Sequence, residues 1–237
     1  WSRFIIMSGG SAIFDHSRIQ YGGTSAGLVH VSSGGNLSLT NSVLAYSDET
    51  GVYISGAETP TIIGNTITNI DSDAIYLDDD NDGVPAAPII RNNILNNSRY
   101  PIYLGGTAIT GQRTITGNSG SGNYRNGIYL VAHFQDITLS ADNSLAYVAS
   151  GADVPAGASL VLDPGTVVKM SGAAIYVYGS LQAVGTPGNE IVFTSLKDDT
   201  YLGDTNADGS STTPVKGDWN RFIIMSGGSA IFDHSRI

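Results

Sequence analysis

Two short acidic segments combine residue types and spacing that suit a hard metal ion. In each, side-chain oxygens stand at alternate positions and a glycine follows. The residues are Asp78, Asp80 and Asp82 before Gly83, and Asp204, Asn206 and Asp208 before Gly209. Alternate oxygens on a tightly curved loop converge on one point, and the glycine permits the sharp turn. Both segments therefore predict calcium as a bound cofactor.

An EF-hand is excluded for both segments, because Ile89 and Val215 stand where its bidentate glutamate belongs. A loop outside that family completes its coordination with other oxygens. Asp198, Asp199 and Asp218 flank the second segment and are the candidates for these further ligands. The alternative interpretation is a solvated acidic loop rich in turn-forming residues.

Aromatic residues recur at a regular spacing in the first half of the chain. Segments 51–54, 74–77, 101–104 and 127–130 have the sequences GVYI, AIYL, PIYL and GIYL, and segment 28–31 (LVHV) is related to them. Their equivalent residues, which recur about every 25 residues, are His30, Tyr53, Tyr76, Tyr103 and Tyr129. Strand alternation places the rings on one face and the aliphatic residues on the other. The favoured interpretation is an outward row that stabilises a sheet. Lateral association and carbohydrate binding are the alternatives.

Asparagines with a similar period precede these aromatic segments. They are Asn41, Asn65, Asn92 and Asn118, which recur about every 25 residues. Amide side chains at equivalent corners of a stack hydrogen-bond to one another along its axis. We therefore expect these four residues to form a structural asparagine ladder.

The elements that must position these residues are short strands. Each period of about 24 residues carries short apolar segments joined by Gly, Asn, Asp and Ser, and no long stretch has helical periodicity. A single turn of this kind cannot bury its apolar face, whereas stacked turns bury a continuous core. The pattern predicts an all-β parallel solenoid with about nine to ten coils of about 24 residues.

A much longer repeat encloses the short one. Residues 219–237 duplicate residues 1–19, and the two copies differ only at Ser2 and Asn220. Residues 1–218 are therefore one complete period of this long repeat. We expect residues 1–218 to form one unit and residues 219–237 to begin the next unit of a tandem array.

The segments GNTITNIDSDAIYL (64–77) and RNNILNNSRYPIYL (91–104) resemble the parallel β-helix repeats of the pectate-lyase-like superfamily. The stretch 164–219 resembles large tandem-repeat surface proteins of bacteria. The resemblance implies a right-handed parallel β-helix that recurs along an exported chain. It is weaker for function, because this fold carries lyases, hydrolases, adhesins and passive stalks.

Composition excludes several classes of protein. The chain has 11 Lys and Arg against 21 Asp and Glu, a net charge of −10, and no cysteine. Nucleic-acid binding is excluded because it needs basic patches, and a disulfide scaffold needs cysteine. No apolar run approaches the ~20 residues of a membrane span, so we expect no membrane insertion in this segment. Abundant Gly, Ser, Thr and Asn are typical of an extracellular, secreted or cell-surface protein.

These observations predict a non-catalytic, calcium-stabilised segment of an extracellular fibre or cell-surface stalk. Its partners would be copies of itself, in end-to-end or lateral contacts. The first alternative is an adhesin that binds a glycan or surface through the tyrosine row. The second is a polysaccharide lyase using the first acidic segment with Arg91 or Arg99, or a hydrolase using Asp71 and Asp73.

Overall fold

The computed structural model describes residues 1–56, 59–78, 86–112 and 114–237, with residues 107–112 described as backbone only. Every regular element in these ranges is a β-strand. The first strands are β1 (Phe4–Ile6), β2 (Ser11–Asp15), β3 (Arg18–Gly22), β4 (Val29–Val31), β5 (Asn36–Thr40), β6 (Val43–Ser47), β7 (Val52–Ser55), β8 (Thr61–Ile63), β9 (Thr66–Ile70), β10 (Ile75–Asp78), β11 (Ile89–Arg91), β12 (Ile94–Asn96) and β13 (Ile102–Gln112). The others are β14 (Ile115–Thr116), β15 (Gly127–Leu139), β16 (Ala146–Ala149), β17 (Asp153–Val154), β18 (Ser159–Leu162), β19 (Val167–Met170), β20 (Ile175–Val177), β21 (Ser180–Val184), β22 (Ile191–Ser195), β23 (Phe222–Ile224), β24 (Ser229–Asp233) and β25 (Ser235–Arg236).

Equivalent strands of successive coils pair and form columns along the axis. In the first half, the order β1-β4-β7-β10-β13 forms one column, β2-β5-β8-β11-β14 a second, and β3-β6-β9-β12 a third. The pairings within these columns are parallel. This arrangement confirms the predicted all-β parallel solenoid.

Alternation within each strand separates a buried face from an outer face. In the first column, the aliphatic residues Val52, Ile75, Ile102 and Ile128 are fully buried and pair from coil to coil. The aromatic residues that follow each of them point outward and stay half-buried. Because these buried aliphatic residues pair from coil to coil, the core runs continuously through the stack. Each fully buried aliphatic side chain contributes about 1.5–3 kcal/mol to stability.

The coils are less uniform than the sequence predicts. The second and third columns of the first half end at β14 and β12. Beyond β15, the first column continues as β16-β19-β22-β25, and two new columns, β17-β20-β23 and β18-β21-β24, take the place of the other two. In the outward row, Tyr129, Val148 and Lys169 pair in turn, at shorter intervals along the chain than the tyrosines before them. The coil count therefore differs a little from the nine to ten expected.

An asparagine ladder lines one buried corner of the solenoid. The Nδ2 atom of Asn65 donates to Oδ1 of Asn93 (3.0 Å), Asn93 donates to Asn118 (2.9 Å), and Asn118 donates to Asn143 (3.2 Å). Each Oδ1 also accepts a backbone N–H from the adjacent coil, as Asn93 does from Asn65. The ladder thus satisfies buried polar groups of the backbone as well as its own amides.

Two of the four asparagines predicted for this ladder lie outside it. Asn41 and Asn92 have φ angles of +48° and +55°, in the left-handed region that Asn and Gly tolerate best. The residue after each of them, Ser42 or Asn93, is the one that turns inward. In the coil between them the same two positions are Gly64 (φ +69°) and Asn65. The recurring unit is therefore a left-handed corner residue followed by a ladder residue.

Replacing Asn93 with alanine tests the ladder. Asn93→Ala removes the acceptor of the Asn65 backbone N–H and of Asn65 Nδ2, and the donor to Asn118 Oδ1 and Ile62 O. These bonds are buried, so their loss should lower the free energy of unfolding by about 3 kcal/mol. Asn92→Gly is the matched control: glycine suits the left-handed corner, and we expect a change within about 0.5 kcal/mol. Urea unfolding of the two variants measures both values, and equal losses would contradict the assignment of the inward position.

Candidate functional site

The second acidic segment lies in a long loop, residues 197–218, which joins β22 to β23. The loop folds back over the outer face of the column formed by β15, β16 and β19. The backbone N–H of Asn126 donates to the carbonyl of Thr205 (2.8 Å), and Lys169 Nζ donates to the carbonyl of Gly203 (2.6 Å). Lys169 is fully buried. The loop therefore covers the outward row where it continues beyond Tyr129.

Asp218 closes the base of this loop. Its carboxylate accepts from Lys197 Nζ (2.7 Å), Ser195 Oγ (2.8 Å) and the backbone N–H of Val215 (2.9 Å). These bonds lower the pKa of Asp218 to about 2, and the bond from Lys197 has the largest effect. Asp218 thus joins the two ends of the loop and lies apart from the carboxylates that converge.

Asp198 is likewise engaged elsewhere. Thr194 Oγ1 donates to its Oδ2 atom (2.6 Å), and the backbone N–H of Thr200 donates to Oδ1 (3.1 Å). Burial opposes ionisation of Asp198, but the hydrogen bonds from the two threonines outweigh it, so its pKa is lowered. Of the three flanking acids predicted as ligands, only Asp199 joins the cluster.

Asp199, Asp204 and Asp208 form that cluster, with one carboxylate oxygen from each lying within 4.8 Å of the other two. Asp204 orients the loop by accepting from the backbone N–H groups of Asp208 (3.2 Å) and Gly209 (2.8 Å). Asn206 Nδ2 donates to Asp208 Oδ2 (2.7 Å). Three buried oxygens remain without a hydrogen-bond partner: Oδ1 of Asp199, Asn206 and Asp208.

The electrostatics of the cluster favour a cation. Burial, together with the charges of Asp204 and Asp208, raises the pKa of Asp199. Burial lowers the pKa of the Lys169 ammonium, although the nearby carboxylates oppose that shift. Carboxylate and amide oxygens are the donors that calcium prefers. The three acids and the unpartnered oxygens are therefore the described residues that could hold such an ion.

The first acidic segment is described only in part. Asp78 ends β10 and pairs in register with Gly105 and Ser55. Asp80 and Asp82 lie outside the described residues, so its ligand set stays a prediction. Burial, followed by the charge of the Asp78 carboxylate, raises the pKa of Tyr76 to about 12.

The structure brings the predicted aromatic row together. Tyr53 and Tyr76 stack at 5.2 Å between ring centroids, Tyr76 and Tyr103 at 4.7 Å, and Tyr103 and Tyr129 at 5.5 Å. His30 continues the row with an edge contact of 5.0 Å to Tyr53. Because the rings stack face to face along the axis, the inner rings present edges rather than faces to solvent. A sugar ring docks on an aromatic face, so this geometry favours packing within the sheet.

Sequence reasoning missed two residues of this surface. Tyr100 stacks on Tyr129 at 4.5 Å, although it lies outside the repeating tyrosine position. Lys169 lies in the same outward row as the tyrosines, because Tyr129 pairs with Val148 and Val148 pairs with Lys169. A lone lysine within the apolar segment TVVKM was the available signal for a covered polar site.

The two acids considered for catalysis differ in accessibility, since Asp71 is exposed and Asp73 is not. Asp73 is fully buried and holds Arg99 through two hydrogen bonds, from Nε to Oδ1 (3.0 Å) and from Nη2 to Oδ2. Burial, partly offset by Arg99, raises the pKa of Asp73. Arg99 in turn lies over the Tyr100 ring at 5.2 Å. The pair therefore joins two coils, and Asp73 is inaccessible to a substrate.

The chain belongs to the right-handed β-helix family: the family model for a right-handed β-helix region matches residues 3–144. This match confirms the family resemblance and the fold. No curated protein and no solved structure matched the chain. Within the described residues, no helix has the length and apolar character needed to cross a membrane.

The hydrogen bonds of Asp218 to Lys197, Ser195 and Val215, here called the Asp218 clasp, predict an acid-sensitive contribution to stability. Its pKa is about 2 in the folded chain against 3.8 ordinarily, so the contribution is present above pH 4 and is lost as the pH falls through about 2. The difference in melting temperature between wild type and Asp218→Asn should be largest above pH 4 and should vanish near pH 2. Asp48→Asn, at an exposed site, serves as the control. A difference that does not change with pH would contradict the clasp.

Proposed function

We propose that this chain is a non-catalytic structural segment of an extracellular tandem-repeat fibre or cell-surface stalk, in which successive copies of the unit 1–218 continue one solenoid. The proposed cofactor is calcium, held in the loop of residues 197–218. The extracellular location rests on the composition and on the resemblance to exported repeat proteins. The proposed partners are further copies of the same unit.

One observation carries the proposal: a continuous ladder leads from the first copy of the duplicated segment to the second. Strand β1 pairs with β4, and the pairing continues through β7, β10, β13, β15, β17 and β20 to β23. The long strand β15 bridges two columns, since its Tyr129 pairs with β13 and its His133 with β17. Strand β23 has the same sequence as β1, Phe-Ile-Ile. After eight strand pairings, the chain therefore reaches the second copy of its starting sequence. Strand β23 lies one unit further along the axis than β1 and on the next face of the solenoid.

The orientation of the side chains is preserved over these eight steps. Phe4 pairs with the buried Val29, and the equivalent Phe222 pairs with Ile175, whose side chain also faces the core. Ile5 lies in the outward row that begins with His30, and the equivalent Ile223 lies in the outward row with Tyr176. A second unit would therefore start with the same residues facing the core.

Calcium would stabilise the connection between units. The loop of residues 197–218 follows the last strand of one unit, β22, and leads directly into the duplicated coil. At its end, Trp219 packs edge-on against Phe222 at 6.0 Å, and Phe222 packs against the buried Phe193 at 5.0 Å. An ion held by Asp199 and its neighbours would fix the loop that delivers this aromatic cluster to the core.

Two alternatives rest on weaker support. An adhesin would use aromatic faces, and the stacked row offers mainly edges. Two exposed rings at a different corner, Tyr21 and Tyr46, stack in parallel at 4.9 Å beside an open groove that Asp71 also lines. A glycan that binds these two rings is the outcome that would favour an adhesin. A polysaccharide lyase or hydrolase would need an accessible acid and base, which the paired Asp73 and Arg99 do not supply.

A covalent double unit tests the proposed function. Residues 1–218 followed by residues 1–237 should form one rod that is longer than the present chain by about eight coils of ~4.8 Å, or about 38 Å. Small-angle scattering and electron microscopy measure this length. Two particles that move independently about a flexible joint would contradict a continuous solenoid.

A calcium titration tests the cofactor. We expect millimolar calcium to raise the melting temperature of the chain, because an ion that binds only the folded state stabilises it by mass action. Asp199→Asn should abolish the increase, whereas Asp48→Asn, far from the loop, should retain it. A melting temperature that calcium leaves unchanged would refute the calcium proposal but not the continuous solenoid.

A further inference from the structure

A row of left-handed residues follows the third column of strands. Tyr21, Tyr46 and Asn69 occupy equivalent positions in it, because the residues on either side of them pair in register from coil to coil. Asn97 and Gly122 continue the row, and all five φ angles lie between +50° and +67°. The row is therefore a corner at which five successive coils turn in the same left-handed conformation.

Two residues of this row are of a type that the left-handed conformation disfavours. Asparagine and glycine adopt it readily, whereas a tyrosine is strained there. The Tyr21 and Tyr46 rings stack, with 4.9 Å between their centroids and 2° between their planes. A contact between two exposed rings offsets only part of that strain. Strain that the fold does not require marks functional positions, so the pair of tyrosines points to a role beyond the fold.

One face of the Tyr46 ring is open to a ligand. Tyr21 covers the other face from the preceding coil, and the centroid distance of 4.9 Å matches the ~4.8 Å between adjacent coils. The open face is therefore turned toward the following coil, where the equivalent residue is Asn69. Asparagine is shorter than tyrosine, so the outer part of this face stays uncovered, and Tyr46 is 48% exposed. A sugar ring fits where a third ring of the stack would lie.

Polar groups surround this face. It borders an open groove of about 500 Å³, whose lining includes Thr24, Asn69 and Asp71 as well as the two tyrosines. That volume is within the roughly 300–1,000 Å³ of ligand sites. Hydroxyl, amide and carboxylate groups donate to and accept from the hydroxyl groups of a sugar. An aromatic face beside such groups has the chemistry of a carbohydrate-binding site.

The groove continues along the axis beyond Asp71. Asp71 also lines a second open groove, together with Asn97 and the exposed ring of Tyr124. Asn97 lies two coils beyond Tyr46, and Tyr124 follows in the third. The two grooves therefore extend over three coils, or about 14 Å. This length suits an oligosaccharide better than a single sugar.

The charge of the groove favours a neutral glycan. The exposed carboxylate of Asp71 and the net charge of −10 both repel the acidic groups of a uronate or a sulfated sugar. The carboxylate also accepts strong hydrogen bonds from uncharged hydroxyl groups. Arg99 lines the second groove as well, but Asp73 neutralises its charge. An acidic polysaccharide would therefore meet a carboxylate without a free cation to balance it.

We propose that this groove binds a neutral oligosaccharide. One sugar ring lies on the open face of Tyr46, and its hydroxyl groups bond to Asn69 and Asp71. The proposal goes beyond the proposed function, because a structural segment needs no glycan. It adds an adhesive role to the structural one and places that role at this corner, away from the stacked row that includes Tyr53 and Tyr76.

Substitutions of Tyr46 test the site on the chain as it is. The probes are neutral oligosaccharides of glucose, mannose or N-acetylglucosamine, with oligosaccharides of uronic acids for comparison. The wild-type chain should bind a neutral probe, and calorimetric titration should show that Tyr46→Asn weakens this binding by about tenfold. Tyr46→Trp keeps an aromatic face and should retain binding. Tyr178→Asn, which changes an exposed tyrosine outside both grooves, is the matched control and should bind like wild type.

Thermal stability separates a binding role from a structural one. Asparagine suits the left-handed corner, so Tyr46→Asn should melt at the same temperature as wild type or higher while it loses binding. A ring that served the fold would give a lower melting temperature. Asp71→Asn should fold equally well, because Asp71 is exposed, and should reduce the preference for neutral over acidic probes.

Four results would overturn the proposal. They are the absence of binding to every neutral probe, tighter binding of the acidic probes, binding that Tyr46→Asn leaves unchanged, and a lower melting temperature of Tyr46→Asn. None of these measurements depends on calcium or on the length of a double unit. Failure of the glycan site is therefore distinguishable from failure of the proposed function.

Discussion

Backbone hydrogen bonds between successive coils are the interaction on which the rest of this molecule depends. A coil has no opposite strand of its own, so the N–H and C=O groups of its strands are satisfied mainly by the coils above and below it. This requirement aligns equivalent positions along the axis and turns a sequence period into rows of like side chains. The buried row that includes Val52, Ile75 and Ile102 follows directly from that alignment. Stability therefore accumulates by addition of coils.

The alignment also determines which residue types are tolerated in a row. Asparagine stacks well because each amide has a donor for one neighbour and an acceptor for the other, as Asn93 does between Asn65 and Asn118. Tyrosine stacks through its ring, and burial raises the pKa of its hydroxyl, as at Tyr76. Carboxylates in such a row would repel. The acids that converge, Asp199 among them, instead come from a single loop, where a cation would offset their charge.

Periodic features of the structure could be predicted from sequence, and local exceptions could not. The spacing of Tyr53, Tyr76 and Tyr103 predicts their stacking because a shared period implies a shared position. The predicted ladder position was wrong by one residue at Asn92. Asparagine suits both the left-handed corner and the inward position that follows it, so the sequence does not distinguish Asn92 from Asn93. Lys169 is buried because a loop more than 30 residues further along the chain covers it. The lone lysine in TVVKM signals a polar site within an apolar strand, but the identity of the loop that covers it depends on tertiary packing.

Irregular coils and a regular repeat are compatible because of where the irregularity lies. The long loop departs after β22 and returns at β23, and β23 still pairs with β20 in the coil below. Residues inserted at a corner extend outward and leave the axial register unchanged, whereas an insertion within a strand would reverse its two faces. Residues 1–218 can therefore vary in coil length, include the long loop of residues 197–218 and still return Phe222 to the inward position of Phe4. Continuity of the solenoid constrains the strands and leaves the corners free to acquire function.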